Sequence, residues 1–108
     1  MDKKEKLDNK KPDGSIIVAE ESGKVIGIVF YTWDNWDSSI YRLAVDPDYW
    51  GKTIGTQLLC EAEKRLKASG ADIASLRTHA NNSKAQEFFK NSGYEVVGGP
   101  YIDMEKKL

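Results

Sequence analysis

The apolar positions change period several times along the chain, and each change marks an element. Ile16-Ile17-Val18-Ala19 is a continuous apolar run, expected as a buried strand over Ser15 to Glu20. Glu21-Ser22-Gly23-Lys24 reads as a tight turn. From Lys24 to Trp33 the period is two. Val25, Val29, Tyr31 and Trp33 fall on one face, and Ile26, Ile28 and Phe30 on the other. Both faces are apolar, which predicts an inner strand of a covered sheet. Gly27 in its interior is read as a bulge or a close approach. Asp34 to Ser38 is a polar loop carrying Trp36, and Ser39 to Val45 is a third strand, completing an antiparallel meander.

After Pro47 the period lengthens. At 100° per residue Ile54, Leu58, Leu59, Ala62 and Leu66 share one arc, while Glu61, Glu63, Lys64 and Lys67 point elsewhere, so a helix is predicted from Thr53 to Ser69. Gly55 lies within the apolar arc. A glycine there weakens a helix, so it is expected to admit a ligand or strand closely. Gly70 supplies the stop. Ile73 to Thr78 is a fourth strand, parallel to the third through a right-handed crossover. Asn81, Asn82 and Ser83 are candidate caps for a second helix, Lys84 to Ser92, whose apolar face is Ala85, Phe88 and Phe89. Tyr94 to Val97 is a fifth strand, Gly98-Gly99-Pro100 a turn, and Tyr101 to Lys106 a last strand. The fold class is α/β with a mixed α+β sheet around one central βαβ unit.

Composition adds little until the N-terminus. The chain has 108 residues, 40% of them hydrophobic and 31% charged, which fits one globular domain. Met1 to Gly14 has almost nothing apolar to bury, so residues 1–14 are expected as a charged flexible arm and 15–108 as the folded domain. The net charge of -1 gives no reason to expect a nucleic-acid partner. No apolar run approaches a membrane span and no signal-peptide core is visible, so a cytoplasmic location is expected. Cys60 is the single cysteine, which excludes an internal disulfide and a cysteine-based zinc site; it lies outside the apolar arc and is assigned no chemistry. No spacing of metal ligands or of a Ser/His/Asp triad stands out.

One stretch carries chemistry. Leu43 to Leu59 is a strand, a Pro turn, a Gly-containing loop and the first turns of a helix. Such a loop aims several backbone N–H groups at one point, with the positive end of a helix dipole behind them. That is an anion site suited to phosphate.

This order, with Leu43-Ala44-Val45-Asp46-Pro47-Asp48-Tyr49 ahead of the loop, resembles the GNAT (GCN5-related) N-acetyltransferase superfamily. Asn82-Ser83-Lys84-Ala85-Gln86-Glu87-Phe88-Phe89-Lys90-Asn91-Ser92-Gly93-Tyr94 is similar to the family's Asn-x-x-Ala…Phe-Tyr…Gly-Phe segment. The resemblance covers roughly Ser15 to Leu108. It implies acetyl-CoA as co-substrate, with the pantetheine arm between the splayed third and fourth strands. Its amides would pair with backbone groups of Leu43 and Val45, and an N–H near Val45 would stabilise the tetrahedral oxyanion. Trp50, Gly51, Lys52, Thr53, Ile54, Gly55 and Thr56 would hold the pyrophosphate, Asn82 would hydrogen-bond the cofactor, and Phe89 stands where the family often has a tyrosine. A primary amine, on a small molecule or a protein, would attack directly.

Three departures qualify the resemblance. The family's loop reads [Gln/Arg]-x-x-Gly-x-[Gly/Ala]; Trp50 replaces the polar or cationic residue and Thr53 the first glycine, while Gly55 fits. Weakened binding is expected, with Lys52 restoring some charge and the Thr53 hydroxyl donating to phosphate or capping the helix. Phe89 has no proton for the leaving thiolate. Tyr94 either substitutes for it or packs in the core, and not every member of the family uses that tyrosine. The usual N-terminal strand and two helices have no room here, so a GNAT-like fold lacking them is expected, with homodimerisation or an open acceptor site as the consequence. His79, the single histidine, is a candidate general base or a surface residue. Glu20, Glu21, Asp34 and Asp37 are candidate bases acting through water. Trp33 is assigned to packing, and Trp36 and Trp50 to a contact surface. The competing readings are a catalytically weak or inactive GNAT-like module that binds CoA or a protein, and a phosphate-ligand binder unrelated to acyl transfer.

Overall fold

The computed structural model describes residues 4–11, 14–79, 81–98 and 102–108. Seven strands form one sheet: β1 (Lys4–Lys11), β2 (Gly14–Glu21), β3 (Lys24–Trp33), β4 (Ser38–Val45), β5 (Ile73–Thr78), β6 (Glu95–Gly98) and β7 (Ile102–Lys107), in the order β1-β2-β3-β4-β5-β7-β6. Helix α1 (Ile54–Ala68) joins β4 to β5, and α2 (Ser83–Asn91) joins β5 to β6. All neighbours are antiparallel except β4 and β5. The mixed α/β class and the element order from β2 onward are as expected, with boundaries displaced by a residue. Met1 to Lys3 of the expected arm, and Gly99, Pro100 and Tyr101 of the expected turn and last strand, lie outside the described residues.

The N-terminal segment differs from the expectation. Lys4–Lys11 runs as a strand beside β2, from Lys4↔Glu20 to Lys11↔Gly14, where a flexible arm and a missing outer strand were expected. The reason is main-chain chemistry. The outer edge of β2 presents a row of N–H and C=O groups, and a segment with no apolar pattern can still pair with it. Among the described residues the first α-helix comes after β4, so no helix separates β1 from β2.

The core lies between the sheet and α1. Ile54, Leu58, Leu59, Ala62 and Leu66 are buried, as their spacing predicts, against Ile17, Ala19, Ile26, Val29 and Tyr31. Gly27 sets the distance of approach. A Cβ there would stand 2.8 Å from Leu58 Cδ1 and 3.3 Å from Ile54 Cγ2. The pairing also slips between Ala19 and Glu20, which makes Ile26 the extra residue of a bulge beside Gly27. Ile28 and Phe30 alternate with Gly27 and Val29, so they face away from α1, and both are half-buried. The expected cover on both faces of β3 is therefore a helix on one face only among the described residues.

Glu63 departs from its expected outward position. It is 8% exposed and joins three elements. The Tyr94 hydroxyl donates to its Oε2 at 2.8 Å, and Lys106 Nζ donates to its Oε1 at 3.1 Å and to the Ser92 carbonyl at 2.9 Å. Trp33, assigned to packing, donates its indole N–H to the Ser69 carbonyl at 3.1 Å and so fixes the end of α1.

Candidate active site

The site begins where β4 and β5 are tied together. Ser38 Oγ donates to the Ile73 carbonyl, and Ser75 Oγ donates to the Ser38 carbonyl. The two parallel strands then share a single register pair, Ile40↔Leu76. Beyond it they part. Tyr41 is the extra residue of a bulge on β4, because Phe30 pairs with Arg42 and Tyr31 with Ile40.

The gap that opens is polar on its β4 side. The Asp46 N–H donates to the Ile26 carbonyl at 2.8 Å. In an antiparallel pair, bonded and non-bonded positions alternate, so Leu43 and Val45 turn their N–H and C=O groups away from β3 and into the gap. A cleft of about 250 Å³ lies here, lined by Ile40, Tyr41, Arg42 and Leu43 of β4, Leu76, Arg77 and Thr78 of β5, and His79, Asn82, Ala85 and Phe89. The structure thus gathers Leu43, His79, Asn82 and Phe89 of the expected site around one space.

At the far end of β4 stands the expected anion loop. A 3₁₀ turn over Pro47–Tyr49 is capped by Asp46, whose carboxylate accepts from the Asp48 N–H. Gly51 has φ 82° and Thr53 φ 64°. Thr53 is the N-cap of α1 but makes no side-chain capping bond, and the helix has no acidic residue in its first turn. The Gln57 N–H donates to the Thr53 C=O at 3.0 Å, which starts the helical ladder, so the N–H groups of Ile54, Gly55 and Thr56 point past the helix end. The Ile54 side chain is buried, leaving only its main chain to the site. The second helix is different: Asn82 Oδ1 accepts from the Ala85 N–H at 3.1 Å, which occupies one donor there. The Asn82 side-chain oxygen thus serves the helix, while its amide N–H groups make no hydrogen bond among the described residues.

Two loop residues carry corrections. The Thr53 hydroxyl neither caps the helix nor is free: it donates to the Lys52 carbonyl and accepts from Gln57 Nε2 at 2.9 Å. Trp50, whose replacement of a polar or cationic residue was expected to remove a contact, adds one within the chain. Its indole Nε1–H donates to the Val45 carbonyl at 2.7 Å, on the group assigned to the pantetheine, while the residue stays 65% exposed. Lys52 lies 5.9 Å from the Tyr49 ring centroid, a cation–π distance. Gly55 approaches a helix rather than a strand alone: a Cβ there would meet Phe88 at 3.5 Å and Val45 at 3.7 Å, both ordinary contacts.

The proposed proton carriers sort themselves by geometry. Tyr94 is 2% exposed, does not line the cleft, and gives its hydroxyl to Glu63. Burial first, and then the Glu63 carboxylate, push the phenol far above its ordinary range. Tyr94 is a core residue, packed edge-on to Phe89 at 5.9 Å, and the acid role does not hold. His79 is exposed and lines the cleft, with Nδ1 accepting from the Asn81 N–H at 3.2 Å. A neutral imidazole accepting at Nδ1 carries its proton on Nε2, so it presents a donor and not a base. Asp34 accepts N–H bonds from Asp37 and Trp36, which hold its carboxyl below the usual range; it closes the loop and makes a poor base. Glu20, Glu21 and Asp37 lie outside the cleft lining.

The structure adds one residue that the sequence reading passed over. Thr78 Oγ1 is buried on the cleft wall with no hydrogen-bond partner among the described residues. Its signal was its place two residues past Leu76, on the same strand face.

Comparison with known proteins bears on this site. Residues 1–94 match the model of the acetyltransferase (GNAT) family. The chain is 33% identical over 96 residues to an acetyltransferase of Sodalis glossinidius, covering 89% of this chain and 66% of that protein. It is 34% identical over 110 residues to an uncharacterized N-acetyltransferase of Methanocaldococcus jannaschii, covering 92% of this chain and 48% of that one. Among solved structures, the PaiA N-acetyltransferase of Thermoplasma acidophilum in complex with coenzyme A superposes with a TM-score of 0.82 at 32% identity, over 89% of this chain and 62% of that one. The chain thus spans about two thirds or less of the length of these relatives. With its parted parallel strands, its uncapped helix start behind β4 and this match over most of its length, the chain belongs to the GNAT acetyltransferase family.

Proposed function

We propose that this chain transfers an acetyl group from acetyl-CoA to a primary amine by direct attack. The observation that carries the reading is the gap beyond Ile40↔Leu76, with the main-chain groups of Leu43 and Val45 turned into it and the α1 N-terminus at its end. A solved relative at 32% identity holds coenzyme A, which supports the same ligand class here.

The residues fit that ligand in most respects. Leu43 and Val45 offer main-chain partners to the pantetheine amides. The N–H groups of Ile54, Gly55 and Thr56 suit the pyrophosphate. Thr78 Oγ1 and the Asn82 amide supply further polar contacts on the β5 side. Acetyl-CoA supplies an activated thioester with a good leaving group. The amine nitrogen bonds the acetyl carbon, the C–S bond breaks, the nitrogen loses a proton to water, and the thiolate takes one. The thiolate takes its proton from water, and His79 Nε2–H offers it a hydrogen bond rather than a proton.

Two observations favour a second reading, a catalytically weak or inactive CoA-binding or protein-interaction module. Trp50 already occupies the Val45 carbonyl, and Thr53 holds the loop in a left-handed conformation without a glycine. We infer also a cytoplasmic setting, in keeping with one exposed thiol, Cys60. No helix among the described residues is long and apolar enough to cross a membrane. A homodimer through the half-buried face of Ile28 and Phe30 is part of the same proposal, and sedimentation at several concentrations tests it.

Calorimetry with acetyl-CoA comes first. No heat of binding at millimolar ligand would sink the acyl-transfer reading. Where binding is found, thiol release across a panel of amines separates the two readings, and a silent panel favours the module.

A further inference from the structure

The geometry points to an acceptor amine that carries an anionic group, with Arg42 as the residue that anchors it. The inference deepens the acyl-transfer reading and rests on it. Two guanidinium side chains line the cleft, Arg42 and Arg77, and none of the described lining residues is Asp or Glu. Arg42 follows the bulge residue Tyr41 at the mouth of the gap, is exposed, and makes no side-chain hydrogen bond or ion pair among the described residues. It alternates with Leu43 and so leaves the opposite face of β4 from the one that α1 covers.

This charge arrangement selects twice. A dication such as a polyamine meets the like charge of Arg42 at the mouth, and the described lining residues offer it no carboxylate, which disfavours its entry. A carboxylate meets an unpaired guanidinium with the fork geometry to hold it. The same field acts on the reacting group. A bound ammonium beside Arg42 is destabilised relative to the neutral amine, so this cation favours the form that attacks. That removes much of the need for a dedicated base, in a cleft where His79 presents a donor. Free amino acids and peptide termini flanked by acidic side chains share the required chemistry.

The test is a set of matched acceptors assayed by thiol release: glycine and leucine against glycinamide and leucinamide, with putrescine as the dication. The amides are weaker bases and hold more neutral amine at any pH, so a preference for the carboxylates is not a protonation effect. The carboxylates are expected to lead in kcat/KM by roughly tenfold, the scale of one charge-assisted hydrogen bond. Arg42→Gln is expected to erase that lead through KM, and Arg42→Lys to keep part of it, with acetyl-CoA affinity unchanged in both. A preference for the amides or putrescine, or a lead that survives Arg42→Gln, overturns the assignment. Binding of N-acetylglycine against N-acetylglycinamide, measured by calorimetry with and without CoA, reads the same preference without turnover. Tighter binding of the acid, lost in Arg42→Gln, upholds the anchor even where acetyl-CoA fails to bind; equal binding of the two overturns it.

Discussion

At the scale of single residues, the loop shows how a substitution is absorbed. Thr53 sits at φ 64°, a region that a β-branched residue enters only with strain. Its hydroxyl compensates in part by bonding Lys52 and Gln57. Thr53→Gly is therefore expected to raise stability by about 0.5–1 kcal/mol after the entropy of glycine is counted. It should also tighten acetyl-CoA, since no Cβ then stands beside the phosphate. Thermal melting and calorimetry check both, and a lower melting temperature would show that the hydroxyl bonds outweigh the strain. Trp50 is the sharper case. Trp50→Phe keeps the ring and removes the N–H that holds the Val45 carbonyl, so acetyl-CoA affinity is expected to rise by roughly three- to tenfold, one hydrogen bond's worth. Weaker binding by this variant would mean that the indole is itself a ligand contact. The sequence marked positions 50 and 53 as departures. It could not say that one had taken over a carbonyl and the other a left-handed turn, because both depend on where the loop returns against β4.

At the scale of elements, two glycines with similar sequence signals have different jobs. Gly27 lets α1 lie on β3, and a methyl group there collides with Leu58 and Ile54. Gly27→Ala is expected to cost about 1–3 kcal/mol, the range for overpacking a well-filled core. Gly55 meets Phe88 and Val45 only at ordinary contact distance. Gly55→Ala is expected to leave stability unchanged or raise it by up to about 1 kcal/mol through helix propensity, while any loss of acetyl-CoA affinity reports a ligand close to its N–H. Denaturant titration of the two variants side by side separates them; equal destabilisation would contradict the geometry. The period-two and 3.6-residue patterns placed both glycines on the right elements. Which one touches a neighbour closely is a matter of packing distance and left no mark in the pattern.

At the scale of the whole molecule, Glu63, Tyr94 and Lys106 bind α1 to the C-terminal strands. The carboxylate and ammonium are mostly shielded, with side-chain exposures of 10% and 30%. The Tyr94 phenol is held protonated well above its ordinary value near 10 by burial and by Glu63. Its contribution to stability is thus complete below the unfolded-state value, about pH 10, and is lost as pH rises past it toward the folded-state value. Tyr94→Phe is expected to destabilise the protein at pH 7 by about 1 kcal/mol, the usual worth of such a hydrogen bond. That difference should narrow above pH 10, where unfolded wild type ionises and the variant cannot. Chemical denaturation from pH 7 to 11 follows both curves; a constant difference would mean that the phenol is not held as described.

The sequence by itself determined the element order from β2 onward, the helix face of α1, a cap for α2 among Asn81, Asn82 and Ser83, and the βαβ crossover, because these follow from local period and local hydrogen-bonding preference. It also located the strand-loop-helix stretch from Leu43 to Leu59, since a turn, a glycine and a helix start are neighbours in the chain. Tertiary structure decided the rest. Glu63 lies inside because Tyr94 and Lys106, 31 and 43 residues away, reach it. Lys4–Lys11 is a strand because β2 has an edge to pair with, which no side-chain pattern announces. Arg42, Arg77, Thr78 and His79 share one cleft because β4 and β5 are held by a single register pair and then part. Charge at the mouth of that cleft is a property of two strands and a loop together, so neither strand read alone contains it.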